Sequence, residues 1–395
     1  MKKFALVSLG LPPSQSGQSM VLYHLFKQFN PENYCLITLK NFHLYKKQGN
    51  CSTKLAAKYY FLPPDYQIIR LMLYTACLFR SRLMLTIILN SRTNYIKKIL
   101  INERCEAVIG CTGDLFDPPA TYLAAKELGI PFIFYNFDYY SRQWTHPILR
   151  EFSEEKEKEL LNGAHRVIVP NKCMKAEYQT RYGVQATVIH NPFDLAEYER
   201  NAGIDERNMS REPKIVYTGA IYDANFTAFH NLITAIEKTK IPNLKLHVYT
   251  PQSENYLKKN AIIGPVEIHK HLPNNRIPAV QRDADILFLP LAFNSPYPEI
   301  IKTSAPGKIG EYLAAKKPIL VHAPSGSFVS WYFRNYHCGC VVDEDNPDKL
   351  AEAILRLIDD TEIRKTLSAN AYARATCDFD LLVAQKKIQD LLASL

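Results

Sequence analysis

The chain has 395 residues, with 48 Lys and Arg against 39 Asp and Glu (net +9), 47% hydrophobic and 22% charged residues. That mixture excludes a mostly disordered chain, a collagen and a coiled coil. The length suits roughly two to three domains. The modest positive balance suits an anionic partner such as a phosphorylated substrate or a lipid headgroup surface. Nucleic acid is least favoured, because the charge forms no basic stripe.

At the N-terminus, Lys2-Lys3 followed by Phe4-Ala5-Leu6-Val7 imitates a signal peptide, but the run stops at Pro12-Pro13 without a small-residue cleavage site. It reads as a first strand of a cytoplasmic protein. Nowhere do about 18 uninterrupted apolar residues occur, the length a spanning helix needs. Short apolar runs follow at 35–39, 107–111, 132–136, 166–169 and 186–190, then at 214–218, 245–249, 266–269, 285–289, 318–321 and 339–342. Runs of this kind, without alternation, fit strands covered on both faces. Their alternation with helical patterns predicts βαβ units, an α/β class, and two doubly wound Rossmann-like domains. The predicted division is an N-terminal domain at 1–194, a polar linker at 195–212, a second domain at 213–375 and a final segment at 376–395.

Residues 67–100 stand apart. They are rich in Ile, Leu and Met, carry Arg70, Arg80, Arg82, Arg92, Lys97 and Lys98, and contain no acidic residue. This is either an interfacial helix meeting an anionic membrane surface, or one or two ordinary helices whose basic side chains reach out to solvent. The nine cysteines (Cys35, Cys51, Cys77, Cys105, Cys111, Cys173, Cys338, Cys340 and Cys377) are scattered and odd in number. They read as small buried hydrophobes in a reducing compartment rather than as a disulfide scaffold or zinc site. His269, Lys270 and His271 lie together, but no further metal ligands are near them in sequence, so no metal is expected.

The stretch from Thr303 to Val321 carries the most chemistry. A polar turn leads through Pro306 into a helix, and proline suits a first helical turn. The amides of Gly307, Lys308 and Ile309 would then be free at the helix start, an anion site reinforced by the Lys308 ammonium. Glu311, three residues on, shares a helix face with Lys308. It is placed to accept hydrogen bonds from ribose hydroxyls, as carboxylates do in dinucleotide folds. The alternative is a solvated helix start with an internal Lys–Glu pair.

The segment Pro306-Gly307-Lys308-Ile309-Gly310-Glu311-Tyr312-Leu313-Ala314 resembles the Pro-x-Lys-x-x-Glu-Tyr-x-Ala segment of GT-B glycosyltransferases of the family 4 type. Residues 9–19 resemble the loop after that family's first strand, His190-Asn191-Pro192 its hinge, Tyr217-Thr218-Gly219 its second-domain opening, and 283–290 its strand into the donor site. The resemblance implies two facing Rossmann-like domains with the site in the cleft. The C-terminal domain would hold a nucleotide-diphosphate sugar, the N-terminal domain a saccharide or lipid-linked acceptor, and the last helix would return to the first domain. It further implies retaining transfer without metal or cofactor.

Carried over by position, the resemblance makes Glu311 the ribose ligand and Lys308 the stabiliser of the departing diphosphate. Thr303 stands where relatives have a first glutamate; with Ser304 it can hydrogen-bond but supplies no charge. The loop from Gly219 to Asn225 lacks the family's Arg and Lys; Gly219 permits close backbone approach, and Asn225 reads as either a phosphate ligand or a helix cap. Asp138 stands beside the position of the family's histidine, and Asp114 is a second base-like group; either reads equally as a cap or turn residue. Ser16, Gly17 and Gln18 would face the acceptor and donor, and His271 the nucleotide base. Two other readings stay open: a degenerate nucleotide-binding protein without turnover, and a nucleotide-sugar epimerase.

Overall fold

The computed structural model describes residues 2–14, 16–40, 54–63, 66–201 and 212–395. Gln15, Cys51 and positions 202–211 of the expected linker lie outside the described residues. The chain divides into two compact units, Met1–His190 with Ala384–Leu395, and Asn191–Val383.

The first unit is built on a seven-stranded sheet. Its strands are β1 (Phe4–Val7), β2 (Tyr34–Leu39), β3 (Lys58–Leu62), β4 (Ala107–Cys111), β5 (Phe132–Tyr135), β6 (Arg166–Val169) and β7 (Thr187–Val188). They are ordered β3-β2-β1-β4-β5-β6-β7, with parallel pairing throughout. Every residue of β1, β2, β4 and β5 is buried. Successive side chains serve opposite faces: Phe4 and Leu6 join one core, Ala5 and Val7 the other. That two-sided burial is why the runs show no polar alternation. The final helix, Leu381–Ala393, contributes its residues from Ala384 onward to this unit. Its Ala384, Ile388, Leu391 and Leu392 pack beside Leu22 and Leu25, and Gln385 donates to the His24 carbonyl at 3.1 Å.

The second unit holds six parallel strands: β8 (Lys214–Thr218), β9 (Lys245–Thr250), β10 (Val266–Lys270), β11 (Ile286–Pro290), β12 (Ile319–His322) and β13 (Cys340–Val342). Their order is β10-β9-β8-β11-β12-β13. Both sheets are therefore doubly wound, and the expected α/β class with two Rossmann-like domains is what the chain adopts. β3 was not anticipated, because its edge position exposes Lys58 and Phe61 and breaks the apolar run. Within the stretch read as a polar linker, residues 195–201 form a short helix, and its Tyr198 and Glu199 bond Gln281 and Arg282 inside the second unit.

Residues 67–100 fall in two helices, Tyr66–Leu78 and Arg82–Asn102. One face packs inward through Ile69, Ala76, Leu85, Ile88 and Leu89. The opposite face leaves Leu71 (63%), Tyr74 (66%), Leu78 (61%), Phe79 (73%) and Leu83 (71%) exposed. Arg92 differs from the expectation that the segment's basic side chains face outward. It is 1% exposed, and its guanidinium bridges Asp114 and Asp117. No helix among the described residues is long and apolar enough to cross a membrane.

Candidate functional site

In a doubly wound sheet, ligands gather at the carboxyl ends of strands where the order reverses. In the second unit that point lies between β8 and β11. Gly219, immediately after β8, has φ +130°, a conformation that favours glycine. A Cβ there would stand 2.9 Å from Lys308 Nζ. The same Nζ lies 3.7 Å from the centroid of the Tyr217 ring, a cation–π distance. Tyr217 is itself fixed by donating from its hydroxyl to the Ala220 carbonyl at 2.6 Å. Among the described residues Lys308 has no ion-pair partner. Desolvation pushes its pKa down to about 7, against a smaller opposing pull from Glu311.

Glu311 is held from the other side. Gln281 Nε2 donates to its Oε2 at 3.0 Å and also to Thr218 Oγ1 at 3.0 Å. Gln281 Oε1 accepts from the Tyr198 hydroxyl at 2.8 Å. Burial raises the Glu311 pKa, and the Gln281 hydrogen bond and Lys308 counter it. Tyr312 anchors the whole element to β8, accepting from the Thr218 amide at 3.0 Å. A cation and a carboxylate are thus positioned beside the end of β8, each with spare bonding capacity. That pairing can hold a phosphate and a diol. Gln281 was not singled out in the sequence; it precedes the Asp283–Asp285 segment, and its role comes from three partners distant in the chain.

The helix carrying Glu311 is shorter than expected. It runs Ile309–Ala314 and does not begin at Pro306. The Ile309 amide is not free, since it donates to the Pro306 carbonyl at 3.1 Å. Pro306 closes the turn before the helix instead of opening it. Ile309 is buried, while Gly307 faces open space, with nothing within 4 Å of its Cβ position. Ser304 caps the end of the Pro298–Thr303 helix. Thr303 is buried and donates to the Glu299 carbonyl at 3.1 Å.

Asn225 occupies the start of the Phe226–Thr239 helix without a side-chain cap bond. Its Nδ2 donates to the Pro290 carbonyl at 3.2 Å, and its Oδ1 is buried with no partner among the described residues. His271 is exposed just beyond β10.

In the first unit the order reverses between β1 and β4. Ser16 caps the Gly17–Phe26 helix, accepting from the Ser19 amide at 3.2 Å. Gln18 ties the two strand ends together: its Nε2 donates to Ser8 Oγ at 2.9 Å and to the Thr112 carbonyl at 2.7 Å. Gly113, φ +123°, accommodates it, since a Cβ there would stand 3.0 Å from Gln18 Oε1. Asp114 is committed: it accepts from Arg92 and from the Phe116 and Asp117 amides at 2.7 and 2.9 Å. It holds the turn that leads into the Asp117–Leu128 helix, the turn role its residue type allowed. Asp138 is exposed, and among the described residues its carboxylate makes no hydrogen bond.

Residues 212–360 match the family model of Glycosyl transferases group 1, and residues 66–197 match that of Glycosyltransferase Family 4. No curated protein matches the chain. Similar solved structures include Anabaena HepE in complex with UDP (14% identity, all of both chains, TM-score 0.68). HepE is also similar in its complex with UDP-glucose (14%, all of both chains, 0.65). Another is sucrose-phosphate synthase from Thermosynechococcus elongatus (14%, 100% of this chain and 99% of that one, 0.70). The α,α-trehalose 6-phosphate synthase from Burkholderia multivorans is a third (12%, 100% and 97%, 0.68). At these identities the likeness is one of fold.

Proposed function

We propose, for a chain that carries both domains of a GT-B glycosyltransferase of the family 4 type, that it moves a sugar from a nucleotide-diphosphate donor to a lipid-linked or polysaccharide acceptor. The observation that carries this reading is the Lys308 ammonium, without an ion-pair partner among the described residues, seated on Tyr217 at Gly219, one helical turn from a Glu311 carboxylate oriented by Gln281. Lys308 and the amides around Gly307 meet the diphosphate, and Glu311 accepts from the ribose hydroxyls. Ser304 and His271 border the sugar and the base. The charge that develops on the leaving diphosphate is then stabilised by groups already in place. The leaving phosphate takes the acceptor proton, and the configuration at the transferred carbon is retained. Asp138, exposed and unengaged, orients the acceptor or the sugar; Asp114 and Gln18 act by fixing the loops. The HepE complexes with UDP and UDP-glucose support a uridine donor.

The exposed apolar face of residues 68–83 supports an acceptor presented at a membrane. Arg70, Arg80 and Lys98 are exposed and, among the described residues, carry no ion pair. They would meet anionic headgroups while Leu71, Leu78 and Phe79 enter the interface.

One observation favours a second reading, a nucleotide-binding protein without turnover. The position of the family's first glutamate is Thr303, whose hydroxyl is spent on its own helix. A thermal-shift screen with UDP-, GDP-, ADP- and CMP-sugars separates these readings. A donor present at about 100 times its Kd adds about 2.7 kcal/mol of stability. Transfer or hydrolysis of the stabilising donor establishes the enzyme; stabilisation without turnover establishes the binder. No stabilisation by any of the four overturns the site.

A further inference from the structure

His269 has one acidic neighbour in its own strand, Glu267, and the fold brings a second imidazole, His247, from the adjacent strand. β9 and β10 pair in parallel, with His247 opposite Glu267 and Tyr249 opposite His269. Alternation places these four on one face, while Leu246 and Val248 point into the core. His247 Nδ1 lies 3.1 Å from His269 Nε2. The Glu267 carboxylate stands beside both rings, with Oε1 3.4 Å from His269 Nε2 and Oε2 3.9 Å from His247 Nδ1.

These edges have a chemical meaning. A tetrahedral ion with bonds of about 2.0–2.1 Å holds neighbouring ligand atoms about 3.3–3.4 Å apart. The His247–His269 separation falls a little short of that value, Glu267 Oε1 stands at it from His269, and Glu267 Oε2 lies farther from His247. The imidazoles are nearly parallel, 11° apart, with centroids 5.3 Å apart. Tyr249 stacks on His269 at 4.3 Å and 10°, which fixes that ring's orientation.

We propose that His247, Glu267 and His269 bind a divalent transition ion of the zinc class, His247 through Nδ1, His269 through Nε2 and Glu267 through its carboxylate, with a fourth position left to water. In the free protein one of the facing nitrogens carries a proton and donates to the other. On binding, that proton moves to the same ring's other nitrogen, so both facing lone pairs become available and no proton is lost. Two imidazoles and one carboxylate select zinc, cobalt or nickel over calcium and magnesium. Lys214, the nearest cation on β8, is neutralised by its pair with Asp283.

The site is distant in role from the transfer chemistry, and no step runs through the ion. β10 is the edge of its sheet. A bound ion would fasten it to β9, just before the turn that carries His271. Any effect on donor affinity therefore rests on the function proposed above, whereas ion binding does not.

The test uses tag-free full-length protein stripped with chelator and without nucleotide. Co2+ is titrated and followed by visible absorption, then displaced with Zn2+. One saturable equivalent at micromolar Co2+, with the intense bands of a four-coordinate ion, is expected. Ca2+ and Mg2+ should not compete. His269→Ala and His247→Ala should weaken binding beyond the roughly 10–100-fold typical of outer-shell changes. Glu267→Gln, at an exposed position, keeps the fold and should also weaken it. Absence of stoichiometric binding overturns the proposal, as does equal binding by wild type, His247→Ala and Glu267→Gln.

Discussion

Lys308 Nζ reaches so close to Gly219 that a methyl carbon on Gly219 would stand 2.9 Å from it. Two constraints meet at this glycine: its φ of +130° and the room it leaves for the ammonium. Gly219→Ala should cost about 1–3 kcal/mol through backbone strain. It should also push Lys308 off the Tyr217 ring. We expect a lowered melting temperature together with a donor KM raised about tenfold, read by calorimetry and steady-state kinetics. A melting shift with unchanged donor KM would mean that the amine's position does not matter to binding.

The Lys308 pKa of about 7 gives donor binding a pH dependence. In the free protein the amine loses its proton as pH rises through 7, while a bound diphosphate restores the proton. Binding between about pH 7 and 10 therefore takes up a proton, and affinity falls with rising pH by up to about tenfold per unit. The folding linkage has the opposite sense. The unfolded chain, with an ordinary lysine near 10.4, binds more protons across that window, so the free protein's stability gains from this group as pH rises. Lys308→Met should flatten both profiles and reduce turnover more than donor binding. Calorimetric titration with a nucleotide sugar in two buffers of different ionisation heat measures the proton uptake directly.

Gln281 is fully buried and serves Glu311, Thr218 and Tyr198 at once. Gln281→Leu keeps the volume and removes the bonds. Each partner left unpaired in the interior costs about 1–3 kcal/mol. Because Glu311 loses its orientation too, donor KM should rise while kcat changes little, and Glu311→Ala should add little on top. Additive losses in the double variant would show that the two residues act separately.

How far this was readable from sequence follows from the kind of contact involved. Among the described residues, twelve of the thirteen strands coincide with apolar runs read from the sequence, most plainly β1, β2, β4 and β5, which are buried on both faces. The edge strand β3 does not, because half of it meets solvent. Lys308 and Glu311 were legible through local spacing. Gln281, Arg92 and the pairing of His247 with Glu267 and His269 were not, since in each case the partner comes from elsewhere in the chain. The helix start after Pro306 was misplaced for a local reason: the turn satisfies the Ile309 amide before the helix begins. Arg92 illustrates the same limit from the other side. Its spacing among basic neighbours suggests an outward face, yet Asp114 and Asp117 draw it inward.

Arg92 also separates stability from surface binding. Removing one member of a buried charge cluster costs about 3–5 kcal/mol, so Arg92→Met should lower the melting temperature of the first unit sharply. The exposed face of the two adjoining helices should behave in the opposite way. Leu71→Asp and Phe79→Asp replace side chains that are 63% and 73% exposed, so the fold should tolerate both. If that face docks on lipid, the double variant should lose sedimentation with vesicles containing anionic lipid, and Arg70→Glu with Arg80→Glu should lose it in a salt-sensitive manner. Turnover of a soluble acceptor analogue should remain, because neither pair touches Lys308 or Glu311. Equal sedimentation of wild type and the apolar double variant would assign Leu71 and Phe79 no part in lipid binding.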